Sequence, residues 1–169
     1  MKILLIDDDE DTAFLMGVLF SKSKIADEYF IESNGQDSLN LLQDNPDIDC
    51  IFVDLKMPDM SGFEFVEKFE KIFMNRLPKI HLYVLSASAL PSDQNRAMAY
   101  DSVKEFILKP LTKKKLTDIK TNTQKISTVI ASQGRDEQKK IAEKGKIEVE
   151  LSSPVCYASA NEIRKEWRD

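Results

Sequence analysis

Apolar positions along the chain recur with two alternating periods. Lys2 to Ile6, Glu28 to Glu32, Asp49 to Asp54, Lys79 to Leu85 and Val103 to Leu108 are short apolar runs bounded by turn residues. Runs of that length, rich in Ile, Val and Phe, read as strands, and the continuous ones as strands buried on both faces. Between them lie segments with helical spacing. Thr12 to Phe20 sets Phe14, Leu15, Val18 and Leu19 on one face, and Gln36 to Gln43 carries Leu39, Leu41 and Leu42. Ser61 to Phe73 turns Phe65, Val66, Phe69 and Ile72 inward, Ser92 to Tyr100 is a short polar helix, and a fifth helix starts at Lys113. Asn34-Gly35, Pro58 and Gly62 break the chain, and Ser61 is placed to cap the third helix.

Five strands alternating with five helices predict an α/β fold with a parallel sheet and right-handed crossovers. The flavodoxin-like, doubly wound strand order 2-1-3-4-5 is the commonest arrangement of five such units. It sets the first and third strands side by side at the topological switch point, where open α/β sheets bind ligands.

Composition narrows the class. The 169 residues are 42% hydrophobic and 31% charged, with a formal net charge of -5, which fits a soluble globular protein and argues against a general nucleic-acid surface. The acidic excess belongs to the alternating region: residues 1–119 carry 14 basic and 21 acidic side chains, residues 120–169 carry 10 and 8. Two cysteines, Cys50 and Cys156, form no disulfide framework and read as reduced thiols of a cytoplasmic protein. Met1-Lys2 runs straight into a strand, so no signal peptide is expected, and no apolar run is long enough to cross a membrane.

The chemistry collects at the strand ends. The first strand ends on Asp7 and Asp8, the third on Asp54, the fourth on Ser86 and the fifth on Lys109. This topology brings all five to one rim. Three neighbouring carboxylates repel one another unless a cation is present, and a hard divalent ion such as Mg²⁺ suits oxygen ligands. With an ammonium at Lys109 and a hydroxyl at Ser86, the set suits a phosphoryl group carried on Asp54. Each residue also has a bland reading. Asp7 to Asp9 read alone are an acidic turn at a helix start, Ser86 a turn hydroxyl and Lys109-Pro110 a strand exit. His81 reads as a packed histidine, and Met57 and Met60 as gap fillers.

Ile6-Asp7-Asp8-Asp9, Val53-Asp54 through Gly62, Leu85-Ser86-Ala87 and Leu108-Lys109-Pro110 together resemble the receiver domain of bacterial two-component response regulators. The resemblance covers roughly residues 1–125. It implies Asp54 as phosphoacceptor, Asp8 as a direct Mg²⁺ ligand, Asp7 as a ligand through water and the Lys56 carbonyl as a further ligand. Ser86 and Lys109 would contact the phosphoryl group, and Phe106 matches the aromatic switch position. Three departures stand out: Lys56 occupies a variable position two past the phosphoacceptor, Phe106 lacks a hydroxyl, and Asp101 to Glu105 lacks the usual Gly.

The resemblance implies a stand-alone phosphorelay switch rather than an enzyme. A sensor histidine kinase or histidine phosphotransfer protein would load it. A downstream protein would read the face of helix 4, strand 5 and helix 5, with no nucleic acid or membrane involved. Two alternatives are a phosphatase of the haloacid dehalogenase type, whose D-x-D-x-T/V pattern Asp8 to Thr12 misses, and a binding module that works without phosphorylation. Residues 126–169 form a C-terminal extension. Leu116, Ile119, Thr123, Ile126 and Ile130 continue the helical repeat toward Gly134, as self-packing or a dimer seam; Lys146 to Leu151 alternates like a strand; Ser159 and Glu162 resemble a capping box.

Overall fold

The computed structural model describes residues 1–77 and 79–123. The expected continuation of the last helix, the strand at Lys146 to Leu151, the capping box at Ser159 and Cys156 all lie outside the described residues.

The elements alternate throughout: β1 (Lys2–Ile6), α1 (Glu10–Ser23), β2 (Glu28–Glu32), α2 (Gly35–Asp44), β3 (Cys50–Asp54), α3 (Gly62–Phe73), β4 (His81–Ser86), α4 (Pro91–Ala97) and β5 (Val103–Leu108). A further helix, α5, covers 113–123. All strand pairs are parallel, in the order β2-β1-β3-β4-β5, as the alternation predicts.

Period-2 alternation divides the central strands between two cores. Leu4, Ile6, Ile51, Val53, Leu82 and Val84 meet the apolar sides of α2, α3 and α4. Ile3, Leu5, Phe52, Tyr83, Leu85 and Ile107 meet Met16 and Phe20 of α1 and Leu116 and Ile119 of α5. With both faces covered, β3 is buried at every position, which is why it reads as an unbroken apolar run. Burying side chains such as Phe20, Phe52, Phe65 and Phe69 stabilises the fold by roughly 1.5–3 kcal/mol each.

Helix starts are set by local hydrogen bonds. Asp9 Oδ1 accepts from Thr12 N at 2.6 Å at the start of α1, and Asn34 Oδ1 from Asp37 N at 2.9 Å at the start of α2. Ser61 and Glu64 form a reciprocal capping box on α3.

Three expectations need correction. Phe14 and Leu15 are 71% and 63% exposed, while Met16 and Phe20 face the sheet. Apolar residues nearly encircle α1, so spacing alone does not select the stripe that packs. Ile72 is exposed and Phe73 is buried in its place, because the i, i+4 pair Phe69 and Phe73 continues the row begun at Phe65. Finally, α4 ends at Ala97 rather than Tyr100, and the chain turns through Met98 to Ser102 into β5.

Met57 and Met60 are both buried in the core beside α2 and α3, as expected of gap-filling side chains. His81 is half-buried at the first position of β4, and burial holds its imidazole below the ordinary histidine range, with Lys104 adding to the effect. Cys50 is a buried free thiol.

Candidate functional site

Strand register builds the site. Ile6 pairs with Val53, so the residues that follow, Asp7 and Asp54, emerge side by side. Asp54 pairs with Leu85 and Ser86 with Leu108, which carries the row on to Lys109. The backbone closes around it: Asp7 N donates to Glu32 O at 3.0 Å and Lys109 N to Ser86 O at 2.9 Å. Gly62 completes the enclosure, because a Cβ there would lie 2.2 Å from Asp54 O and 2.9 Å from Leu55 Cα. The Lys109-Pro110 peptide bond is cis.

Lys109 Nζ sits between two carboxylates, 2.6 Å from Asp7 Oδ2 and 3.1 Å from Asp54 Oδ1. Asp7 and Asp54 are nearly buried, and Asp8 is exposed at the mouth. Carboxylate oxygens of the three lie within 4.8 Å of one another. The remaining oxygens are partly engaged: Asp54 Oδ2 accepts from Lys56 N at 3.0 Å, and Asp7 Oδ1 from Asp9 N at 3.2 Å. Asp9 itself turns away to cap α1, as the bland reading of that turn expects.

Burial pushes the Asp7 carboxyl above the ordinary carboxylate range, although the Lys109 ammonium pulls it back. For Lys109, burial works against the charged form, but hydrogen bonds to Asp7 and Asp54 outweigh it and raise the ammonium above the usual lysine value. The pair is therefore a charged lysine held by a carboxylate that water solvates poorly. One ammonium against three carboxylates leaves negative charge uncompensated. The donor set is entirely hard oxygen, which fits a divalent cation such as Mg²⁺.

The other residues singled out in the sequence fall around this centre. Ser86 is buried at the end of β4, and its Oγ accepts from Ser88 N at 3.0 Å. The Lys56 side chain is exposed, with its backbone in the loop after Asp54. Phe106 is half-buried on β5, packed on the core shared by α2, α3 and α4. Sequence reasoning missed Ser88 and Asp93, whose side chains join the loop after β4 to α4 with Ser88 Oγ donating to Asp93 Oδ2 at 2.6 Å. The available signal was a Ser two places past Ser86 and an Asp in the first turn of a helix without a capping side chain.

The family model for the response regulator receiver domain matches residues 3–121. The chain belongs to that family. Two-component response regulator ORR5 of Oryza sativa subsp. japonica is 28% identical over 110 residues, spanning 64% of this chain and 78% of the rice protein. Two-component response regulator ORR11 of Oryza sativa subsp. indica is 27% identical over 111 residues, 64% of this chain and 71% of its own. Among solved structures, a two-component response regulator from Cytophaga hutchinsonii superposes with a TM-score of 0.68 at 28% identity, covering 73% of this chain and 96% of its own. The receiver domain of Ssk1, crystallised with the Saccharomyces cerevisiae histidine phosphotransfer protein Ypd1, shares the fold with a TM-score of 0.61 at 22% identity, covering 72% and 86%. As a receiver of two-component regulators, the protein is a phosphorelay signalling module rather than a conventional enzyme. The haloacid dehalogenase alternative is left without support. Among the described residues, no helix is long and apolar enough to cross a membrane.

Proposed function

We propose that this receiver accepts a phosphoryl group from a phosphohistidine onto Asp54 and acts as a cytoplasmic signalling switch. The observation that carries the reading is the Lys109 ammonium shared between Asp7 and Asp54, with Asp8 closing an oxygen cluster. An Asp54 oxygen attacks phosphorus, the phosphorus–nitrogen bond to the imidazole breaks, and an aspartyl phosphate results. Lys109 remains protonated throughout and offsets charge on the phosphoryl oxygens, and the Ser86 hydroxyl donates to one of them. Asp8, Asp54, the Lys56 carbonyl and, through water, Asp7 would hold Mg²⁺, which supplies further charge neutralisation when bound. Water later cleaves the phosphorus–oxygen bond, returning the Asp54 carboxylate and inorganic phosphate.

A sensor histidine kinase or a histidine phosphotransfer protein supplies the phosphoryl group; the Ypd1 complex of Ssk1 supports the latter class. The output is a protein contact. Leu90, Met98 and Leu108 are exposed at the two ends of α4 and on β5, a surface that fits a protein partner or a second copy through the α4-β5-α5 face. Phosphorylation shifts the equilibrium of that face, with Phe106 moving by ring burial alone because it has no hydroxyl to rebond. The chemistry is assigned to residues 1–125.

The test is incubation with Mg²⁺ and a small acyl phosphate, followed by intact mass. One phosphoryl adduct is expected in the native protein and none in Asp54→Asn. Uptake that persists in Asp54→Asn, or no Mg²⁺-dependent uptake by the native chain, defeats the reading; the second outcome favours a module that binds without phosphorylation.

A further inference from the structure

The loop between β4 and α4 carries a chain of hydrogen bonds running away from the site. Ser86 Oγ accepts from Ser88 N at 3.0 Å, and Ser88 Oγ donates to Asp93 Oδ2 at 2.6 Å while accepting from Leu90 N at 3.4 Å. Asp93 is the third residue of α4, and its own N–H bonds to Leu90 O at 3.1 Å. The helix has only seven residues, and its N-cap, Leu90, provides no side-chain bond. A charge-assisted bond from Ser88 therefore holds the Asp93 side chain against the loop, and α4's first turn is tied by two residues to the buried Ser86 hydroxyl.

From this geometry we propose that Ser88 and Asp93 are positioning residues forming a latch that holds Ser86 and the start of α4 in the resting arrangement. The inference rests on the phosphoacceptor reading of Asp54. Ser86 turning to donate to a phosphoryl oxygen on Asp54 pulls on Ser88 N–H, and displacing Ser88 strains its bond to Asp93. Site occupancy and the position of α4 are thereby linked through one breakable bond. Neither residue touches the phosphoryl group; both act through Ser86.

The experiment is a beryllofluoride titration of the full chain in Mg²⁺, followed by backbone NMR. Ser88→Ala and Asp93→Ala should each tighten binding by roughly three- to tenfold, since the resting state loses a bond the occupied state has given up. Because both remove the same bond, the double variant should bind no more tightly than either single one. Ser88→Thr, which keeps the hydroxyl, should restore native affinity. Without ligand, the Ser88 and Leu90 amides should exchange faster in Asp93→Ala. Unchanged affinity in both variants, or independent additive effects, would overturn the latch. If native protein fails to bind beryllofluoride, or binds it equally in Asp54→Asn, the phosphoacceptor reading itself has failed; amide exchange that is unaltered in Asp93→Ala removes the latch whichever way that falls.

Discussion

The Lys109 ammonium donates to the Asp7 carboxylate at 2.6 Å, across 102 positions of sequence. Asp7 is almost fully buried, so this bond compensates a carboxylate that water cannot reach. The same ammonium lies 3.1 Å from Asp54 Oδ1 and fixes the spacing of the two acids. It thus serves the resting fold as well as the chemistry proposed for the site.

Lys109→Met leaves Asp7 and Asp54 facing each other without a counter-charge. In EDTA, stability should fall by about 1–3 kcal/mol, read from the urea midpoint. Millimolar Mg²⁺ should recover part of the loss, because a cation can then occupy the gap. A midpoint unchanged in EDTA would mean that the ion pair contributes nothing to folding.

Removing a charge from the mouth of the site should do the opposite. Asp8→Asn relieves repulsion within the cluster, so the metal-free variant should be at least as stable as the native chain. Native protein should gain stability on adding Mg²⁺, about 2.7 kcal/mol at a hundredfold excess over Kd, and the variant should gain far less. Calorimetric melting with and without Mg²⁺ separates the two effects. Equal gains in both proteins would exclude Asp8 as a ligand.

Two glycines should respond differently to alanine. At Gly62 the new methyl meets Asp54 O at 2.2 Å and Leu55 Cα at 2.9 Å, both backbone atoms that cannot step aside. Gly62→Ala should cost roughly 2–4 kcal/mol and displace the loop that follows Asp54, lowering the proposed phosphate uptake with it. At Gly35 the nearest atom is Met60 Sδ at 2.6 Å, the flexible end of a side chain. Gly35→Ala should cost less than about 1 kcal/mol and leave uptake intact. Denaturation midpoints that rank the two the other way would contradict the packing around Asp54.

Acid should weaken the fold partly through His81. Burial lowers its imidazole below the ordinary value of 6.5, so the folded state resists protonation. Its contribution is complete above that value, and it declines as pH falls from there through the lower folded value, where the unfolded chain binds the extra proton. His81→Gln should flatten this part of the stability profile, on the acid side of pH 6.5. If urea midpoints of the two proteins fall in parallel, His81 is not the group responsible. Asp7, raised by burial, titrates with the opposite sign and is present in both.

Much of the architecture was legible because its signals are local. Five apolar runs, the turns at Gly35 and Pro58 and the cap at Ser61 report the physics of a few adjacent residues. The acidic and basic strand ends were also visible, since β1, β3 and β4 each run buried up to a polar group, and the partly exposed β5 leads directly into Lys109. The inward stripe of α1 was not legible: Phe14 and Leu15 are as apolar as Met16 and Phe20, and only the sheet's position selects between them. The bond from Ser88 to Asp93 was equally hidden, because it depends on how the loop folds back on α4.

By itself, the order of residues determined the alternation of strands and helices and which side chains end each strand, because period and turn chemistry act over a few positions. Only the tertiary structure decided that Lys109 stands between Asp7 and Asp54, and which surface of α1 stays in water. Both depend on strand register and on packing between segments a hundred residues apart, where pairing across the sheet rather than local preference sets each distance.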